Sequence, residues 1–403
     1  MAADTSRKPQ VAKDAAPRLT SIDAYRGLVM LLMLAEVARL PAVAEALPDS
    51  AAWQFLGRQQ SHVEWLGCTL HDLIQPSFTF LVGVALPFSL AARAKHGQSR
   101  GRTTAHAFAR AAVLVLLGIF LRSLGKPRTN YTFEDTLTQI GLGYGFLYLL
   151  GQTTLRWQVL ALALILGGYF ALFAAYPVPA DYPDPAVHGV PVDWPHLLTG
   201  WQSHWTKNGN AAWAFDGWFL NLLPREKPFL FNGGGYSTLS FVPTLGTMIL
   251  GLFAGTILKG IRPTVHKLGL LAAIGVAILA AGWGLGAAGV CPVVKRIWTP
   301  SWVLFSGGWC FLTLAAFYAV TDAVGARRIA YPLVVVGANS IAAYLMEWLF
   351  AGLVRDALRR HFGTDPFRVL GTEYEPLLQG GAIVLVFWLI LWGMFRRRWF
   401  LKL

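Results

Sequence analysis

Ser61-His62-Val63-Glu64-Trp65-Leu66-Gly67-Cys68-Thr69-Leu70-His71-Asp72-Leu73-Ile74-Gln75-Pro76 is polar in its first half and then runs without a break into residues 77–92, which are predominantly apolar. A helix crosses a hydrocarbon core of about 30 Å with about 20 such residues. The stretch therefore reads as a loop entering a bilayer. An imidazole at the mouth of a membrane helix and a carboxylate just inside it are costly to place, and such groups persist where they line a cavity or do chemistry. His62 and Asp72 are accordingly read as the start of an active site, and the remaining chain as the vessel that holds it.

Composition supports the vessel. The chain has 403 residues, 55% hydrophobic and 14% charged, with 16 Trp and 25 Phe, whereas a soluble domain carries about 25% charged residues. The expected fold class is all-α, a polytopic membrane protein. The first 18 residues are polar and lack the apolar core of a cleavable signal peptide, so the first helix is expected to be an uncleaved anchor. Cys68, Cys291 and Cys310 are widely spaced, which speaks against a disulfide framework or a zinc site; no metal is expected. No glycine-rich phosphate motif follows a strand-like segment, so a soluble nucleotide domain is not supported.

About ten windows are long and apolar enough to span: residues 22–40, 70–92, 106–124, 136–152, 157–176, 236–258, 267–288, 300–321, 332–354 and 378–395. An even number puts both termini on one side. That side, counted with its loops, carries 19 basic residues, among them Arg7, Lys8, Lys13, Arg18, Arg93, Arg102 and Arg396, against the three acids Asp4, Asp14 and Asp322. The opposite side carries 14 of each sign. By the positive-inside rule both termini are cytoplasmic, and the net charge of +13 is topological, so nucleic acid is not an expected partner. Residues 1–20 then form a cytoplasmic tail, and residues 21–403 form one transmembrane domain with outer loops 41–69 and 177–235. Loop 177–235 holds Trp194, Trp201, Trp205, Trp213 and Trp218, either as an interfacial aromatic belt or as a platform for sugar rings. The expected surroundings are the lipid bilayer of an inner membrane, and a homodimer is allowed.

Polar groups inside the windows narrow the chemistry. Asp23 and Arg26 share a helix face at i,i+3 and either close the helix end as a pair or offer Arg26 to an anionic cofactor entering from inside. Glu36 lies near the outer end of the same helix. Asp72 either caps the second helix or orients an imidazole. Gln139 leads into the fourth helix. Asn339 and Glu347 are eight residues apart on one expected helix and share a face. Lys295 and Arg296 flank Trp298 at an outer helix mouth, where a plain interfacial anchor accounts for them equally well. The other histidines, His71 included, are expected to be packed or solvated.

The motifs taken together resemble the bacterial relatives of heparan-alpha-glucosaminide N-acetyltransferase, a transmembrane acyltransferase family. The resemblance rests on Ser21-Ile22-Asp23-Ala24-Tyr25-Arg26-Gly27-Leu28; on His62, Trp65, Gly67, Thr69, Asp72, Leu73, Ile74 and Pro76 followed by Phe80-Leu81-Val82-Gly83; on Leu137-Thr138-Gln139-Ile140; on Ser237-Thr238-Leu239; on Ile297-Trp298-Thr299-Pro300-Ser301-Trp302-Val303-Leu304; and on Gly337-Ala338-Asn339-Ser340-Ile341. The chain departs from the family pattern at Val37, at Ile140 and at Asn232-Gly233-Gly234-Gly235.

The resemblance implies an enzyme that moves an acetyl group from cytoplasmic acetyl-CoA to an amino or hydroxyl group of an extracytoplasmic sugar or glycan. His62 corresponds to the family's active-site histidine, acting as general base or as covalent acetyl carrier. Asp72 would hold its tautomer and Asn339 would donate to the oxyanion. Arg26, Asp23 and Gln139 are expected at the cofactor, and Glu36, Trp65, Arg296 and Trp298 at the acceptor. A reading from another class is a transporter or flippase for a lipid-linked glycan, with His62 and Asp72 as a proton relay.

Overall fold

The structure, a computed structural model, describes residues 19–401. It is all helical, and the described residues include no β-strand, only an isolated antiparallel bridge between Leu66 and Val294. In chain order the helices are α1 (Thr20–Leu34), α2 (Leu40–Ala46), α3 (Ala51–Gln59), α4 (Ile74–Lys95), α5 (Arg100–Ser123), α6 (Thr136–Leu150), α7 (Leu155–Ala175), α8 (Ala211–Phe219), α9 (Phe241–Lys259), α10 (Thr264–Ala287), α11 (Pro300–Tyr318), α12 (Tyr331–Ala338), α13 (Ser340–Phe362) and α14 (Glu375–Arg396).

Among the described residues seven helices are long and apolar enough to cross a membrane, or up to nine if each bent pair is one span. The protein is a multi-pass membrane protein. The expected count of about ten differs at three places. The window 136–152 becomes α6, only 15 residues long, or about 22 Å at 1.5 Å per residue. The window 22–40 bends by 42° into α2, and the window 332–354 breaks by 76° between α12 and α13. Residues 1–18 of the expected tail, with Arg7, Lys8, Lys13 and Arg18, lie outside the described residues, as does Lys402.

The bundle is held together by close backbone contact. On α4 and α9, a Cβ at Gly83 would sit 1.9 Å from the Met248 carbonyl oxygen, and one at Gly251 would sit 1.9 Å from that of Phe80. Small residues let helices approach this closely where lipid offers no hydrophobic drive for association. The contact fixes α4, and with it the segment that carries Asp72. Buried Tyr25, Phe80, Trp302 and Phe311 fill the centre of the bundle. On α7 and α10 only 17% of the most apolar window is buried within the protein, so these helices present Leu160, Leu164, Val276 and Trp283 outward. That is the face a bilayer covers.

A second core lies at the end of the bundle that bears His62, beneath the long aromatic loop. It is built from Trp65, Tyr169, Phe173, Trp205, Val294 and Ile297. The Trp65 indole N–H donates to the Trp205 carbonyl (3.1 Å) and the Tyr169 hydroxyl to that of Ile297 (3.0 Å). Asn210 caps α8 by accepting from the amides of Ala212 and Trp213. Of the loop's tryptophans Trp205 is fully buried, whereas Trp201 and Trp218 are exposed.

Candidate active site

The loop between α3 and α4 is clamped by one carboxylate. Asp72 Oδ2 accepts from the backbone amides of Thr69 (3.0 Å) and Val63 (3.2 Å) and from the Thr69 hydroxyl (2.9 Å). Asp72 Oδ1 lies 2.8 Å from His62 Nδ1. Of the two roles weighed from sequence, Asp72 makes no side-chain cap to the helix; one oxygen instead orders the turn ahead of α4 and the other lies against the imidazole. Asp72 has no exposed surface, so its negative charge requires compensation from within the protein.

That compensation comes from the segment between α10 and α11. Thr299 Oγ1 accepts from the Val294 amide (3.1 Å) and donates to the Pro292 carbonyl (2.8 Å), while Trp298 adopts φ 50°, an uncommon conformation for a bulky residue. This compact turn is pinned to the His62 loop by the Gly67 amide on the Val293 carbonyl (3.2 Å). Lys295 is thereby aimed inward. Its Nζ lies 3.2 Å from Asp72 Oδ1 and 3.0 Å from His62 Nδ1, with the residue 3% exposed. The neighbouring Arg296 turns the other way, donating from Nε and Nη2 to the Val63 carbonyl and from Nη1 to that of Gly234.

Burial pushes the His62 imidazole below its ordinary 6.5; the hydrogen bond to Asp72 opposes this and the positive charge of Lys295 adds to it. Burial also pushes the Lys295 ammonium down, with Asp72 pulling it back. Cys68, beside the clamp, has its thiol pushed up to about 12 by burial first and the charge of Asp72 second. It is therefore a thiol at neutral pH and no nucleophile.

His62 and Lys295 open onto a cavity of about 510 Å³. Glu36, in the short 3-10 turn Ala35–Ala38 that follows α1, lines it with its Oε1 3.3 Å from His71 Nε2, and the His71 ring stands 4.4 Å from that of His62. Across the cavity are Arg122 at the end of α5, Glu134 ahead of α6, Tyr236 ahead of α9, and Tyr344 and Glu347 on α13. Burial keeps the Glu134 carboxyl and the Tyr236 hydroxyl above their ordinary values, so the phenol is a hydrogen-bond donor at neutral pH.

The structure brings together His62, Asp72, Glu36, Trp65 and Arg296 of the residues singled out from sequence. Trp65 is buried behind the loop, and Arg296 holds the loop's backbone and stacks on Tyr236 at 4.9 Å. Trp298 is buried, its indole donating to Thr247 Oγ1 (3.1 Å). Four residues stand elsewhere. Gln139 is spent as a staple, its amide donating to the carbonyls of Phe133, Ser237 and Thr238 while its oxygen accepts from Thr244. Asp23 and Arg26 form an i,i+3 pair at 3.5 Å, about 20 and 15 Å respectively along the helix from Glu36 at 1.5 Å per residue. Asn339 does not line the cavity. Its amide donates to the Trp399 carbonyl (3.0 Å) and accepts from the Leu401 amide (3.1 Å). The expected shared face with Glu347 fails because the helix breaks at Asn339, whose φ −127° and ψ 42° are not helical.

Sequence reasoning did not count Lys295 as a site residue, and it expected His71 to be merely packed or solvated. Lys295 lies 233 positions from its partner, and its one signal was a cation beside the Trp298-Thr299-Pro300 motif. For His71 the adjacency to Asp72 was visible, but its pairing with Glu36 was not.

Comparison with known proteins adds kinship. No family model matches the chain. The chain is similar to the heparan-alpha-glucosaminide N-acetyltransferase of Homo sapiens, 23% identical over 381 residues that cover 83% of this chain and 53% of that protein. It is also similar to the Mus musculus protein of the same name, 25% identical over 114 residues, covering 28% of this chain and 15% of that one. The chain is a distant relative of these enzymes and spans about half the length of the human one.

Proposed function

We propose, from this distant relationship and from the geometry around His62, that the chain is a transmembrane acetyltransferase. In this reading it takes an acetyl group from cytoplasmic acetyl-CoA and passes it to an amino or hydroxyl group of a sugar or glycan on the far side of an inner membrane. The observation that carries the reading is His62: Nδ1 is engaged by a fully buried carboxylate, the ring is held below its ordinary pKa, and the residue lines a cavity large enough for a sugar ring and a thioester together. A neutral imidazole so oriented is a general base at neutral pH.

With Nδ1 donating to Asp72, the lone pair of His62 sits on Nε2. No described group bonds that atom, so it is the one offered to substrate. Nε2 removes the proton from the acceptor as its nitrogen or oxygen bonds to the acetyl carbon, and the carbon–sulfur bond breaks with its electron pair going to the CoA sulfur, which takes up the proton from His62. Alternatively Nε2 bonds the acetyl carbon as CoA leaves as thiolate, and the acceptor then displaces the imidazole from that carbon. Tyr236 takes the oxyanion-donor role first considered for Asn339, since it lines the cavity and keeps its proton. Met33, Ile74 and Trp348 on the cavity wall suit the apolar part of the donor, and Glu36, Glu134 and Glu347 suit a polar acceptor. Both termini are taken as cytoplasmic, supported by the 19 basic residues assigned to that side.

The test is transfer of labelled acetyl from acetyl-CoA by purified protein in nanodiscs, wild type beside His62→Ala, with glucosamine and a crude envelope-glycan extract as acceptors. Label on an acceptor with wild type only is the expected result. Equal transfer by His62→Ala would remove the catalytic role of His62. No transfer by either would favour the transport reading.

A further inference from the structure

His62 Nδ1, Asp72 Oδ1 and Lys295 Nζ form a closed triangle with sides of 2.8, 3.0 and 3.2 Å. A nitrogen of a neutral imidazole carries either one hydrogen or one lone pair. If Nδ1 accepted from Lys295, its lone pair would face the Asp72 oxygen at 2.8 Å with no proton between them. If Nδ1 donates to Asp72, Lys295 can donate to the same oxygen, and both contacts are satisfied. Either arrangement leaves one side of the triangle without a hydrogen bond. The second puts a proton on the shortest side, against the charged acceptor, and leaves apart only the two donors Nδ1 and Nζ, which share Oδ1. The first sets a lone pair against a carboxylate at 2.8 Å. The second is therefore favoured, and the lone pair is on Nε2.

The geometry points to Lys295 as the positioning residue of this site: its ammonium balances the buried Asp72 carboxylate, and that balance holds His62 unprotonated with its lone pair on Nε2. The inference rests on His62 being the working base, as proposed above. The bookkeeping of charge is direct. Carboxylate, ammonium and neutral ring sum to zero, and a neutral buried set is far cheaper than an isolated buried charge. Protonating His62 would put an imidazolium 3.0 Å from an ammonium. Without Lys295 the same carboxylate would stand alone against the ring and favour the imidazolium, which cannot accept a proton. The other ionisable groups around the ring do not replace Lys295. Arg296 also disfavours the imidazolium but is bonded to the Val63 and Gly234 carbonyls. His71 is paired with Glu36, and Arg122, Glu134 and Glu347 lie on other walls of the cavity.

The experiment is nitrogen-15 NMR of histidine-labelled full chain in detergent, which reads protonation and tautomer of each ring, with His62→Ala assigning the His62 signals among the nine histidines. Lys295→Met is expected to raise the His62 midpoint by about one to three pH units, the scale of one close charge pair in a partly polar interior. Lys295→Arg keeps the charge and is expected to leave the midpoint within about half a unit. The acid limb of kcat/KM should move with the midpoint, and activity of Lys295→Met should recover at high pH, which a merely structural lysine would not produce. An unchanged midpoint in Lys295→Met overturns the inference. Should that variant fail to fold, Lys295→Gln supplies the same comparison. In wild type alone, a neutral ring protonated on Nε2 also overturns it. Absence of acetyl transfer by wild type would remove the proposed function but leave this titration readable.

Discussion

Replacing Asp72 by Asn alters one atom at the centre of the site, and the structure says which one. The Oδ2 position accepts three hydrogen bonds, from the Val63 and Thr69 amides and the Thr69 hydroxyl. An NH2 group there would face two backbone amide donors that cannot turn away, so the Asn carbonyl must take that seat. The NH2 then occupies the Oδ1 position, 2.8 Å from His62 Nδ1, and donates to it. Nδ1 becomes the acceptor, the hydrogen moves to Nε2, and the atom facing the cavity loses its lone pair. A wrong tautomer in a histidine–carboxylate pair costs about 10⁴ in a serine protease, so Asp72→Asn is expected to lower kcat/KM by about 10³–10⁴, or about 4–5.5 kcal/mol of transition-state stabilisation. The variant also leaves Lys295 without its counter-charge, which costs about 3–5 kcal/mol of stability; the comparison therefore needs thermal unfolding alongside. The assay is single-turnover transfer of labelled acetyl, with donor binding measured on the same sample. Folded Asp72→Asn that binds donor and transfers within tenfold of wild type would refute the tautomer argument.

Other expectations follow from single contacts. Gly251→Ala places a Cβ 1.9 Å from the Phe80 carbonyl oxygen, a backbone atom that cannot swing aside; the substitution should cost at least about 3 kcal/mol, and an unchanged melting temperature in nanodiscs would contradict the α4–α9 contact. Because the His62 ring sits below its ordinary 6.5, kcat/KM should stay level from neutral pH downward and fall only along a limb below 6.5 as the imidazolium forms. Buried Asp216, which accepts from the Thr238 amide (2.9 Å), has its carboxyl raised from 3.8 to about 7, by burial first. Its folded pKa exceeds the unfolded one, so its contribution to stability is complete below about 4 and is lost as pH rises to about 7. Asp216→Asn should flatten that slope and melt higher than wild type at pH 8; parallel melting curves against pH would count against it.

Much was legible in the sequence because membranes impose a one-dimensional code. Apolar runs of spanning length marked the helices 70–92, 106–124, 157–176, 236–258, 267–288, 300–321 and 378–395, all recovered as long apolar helices. The misses have local causes. Residues 136–152 are apolar but form only α6, which Asp135 caps at Thr136 by accepting from the Leu137 and Thr138 amides and which stops at Leu150 with Gly151 as its C-cap. Asn339 and Glu347 were placed on one face by counting residues, and the count fails across a break.

The sequence by itself determined the solvent the protein lives in and the local half of its site, since His62, Thr69 and Asp72 lie within ten positions and one turn can join them. Tertiary structure alone decided the electrostatic state of that site. Lys295 reaches Asp72 from 223 positions away, and Glu36 reaches His71 from another helix end. A buried charge is tolerated only where its partner meets it in space, and no period or spacing along the chain encodes that meeting.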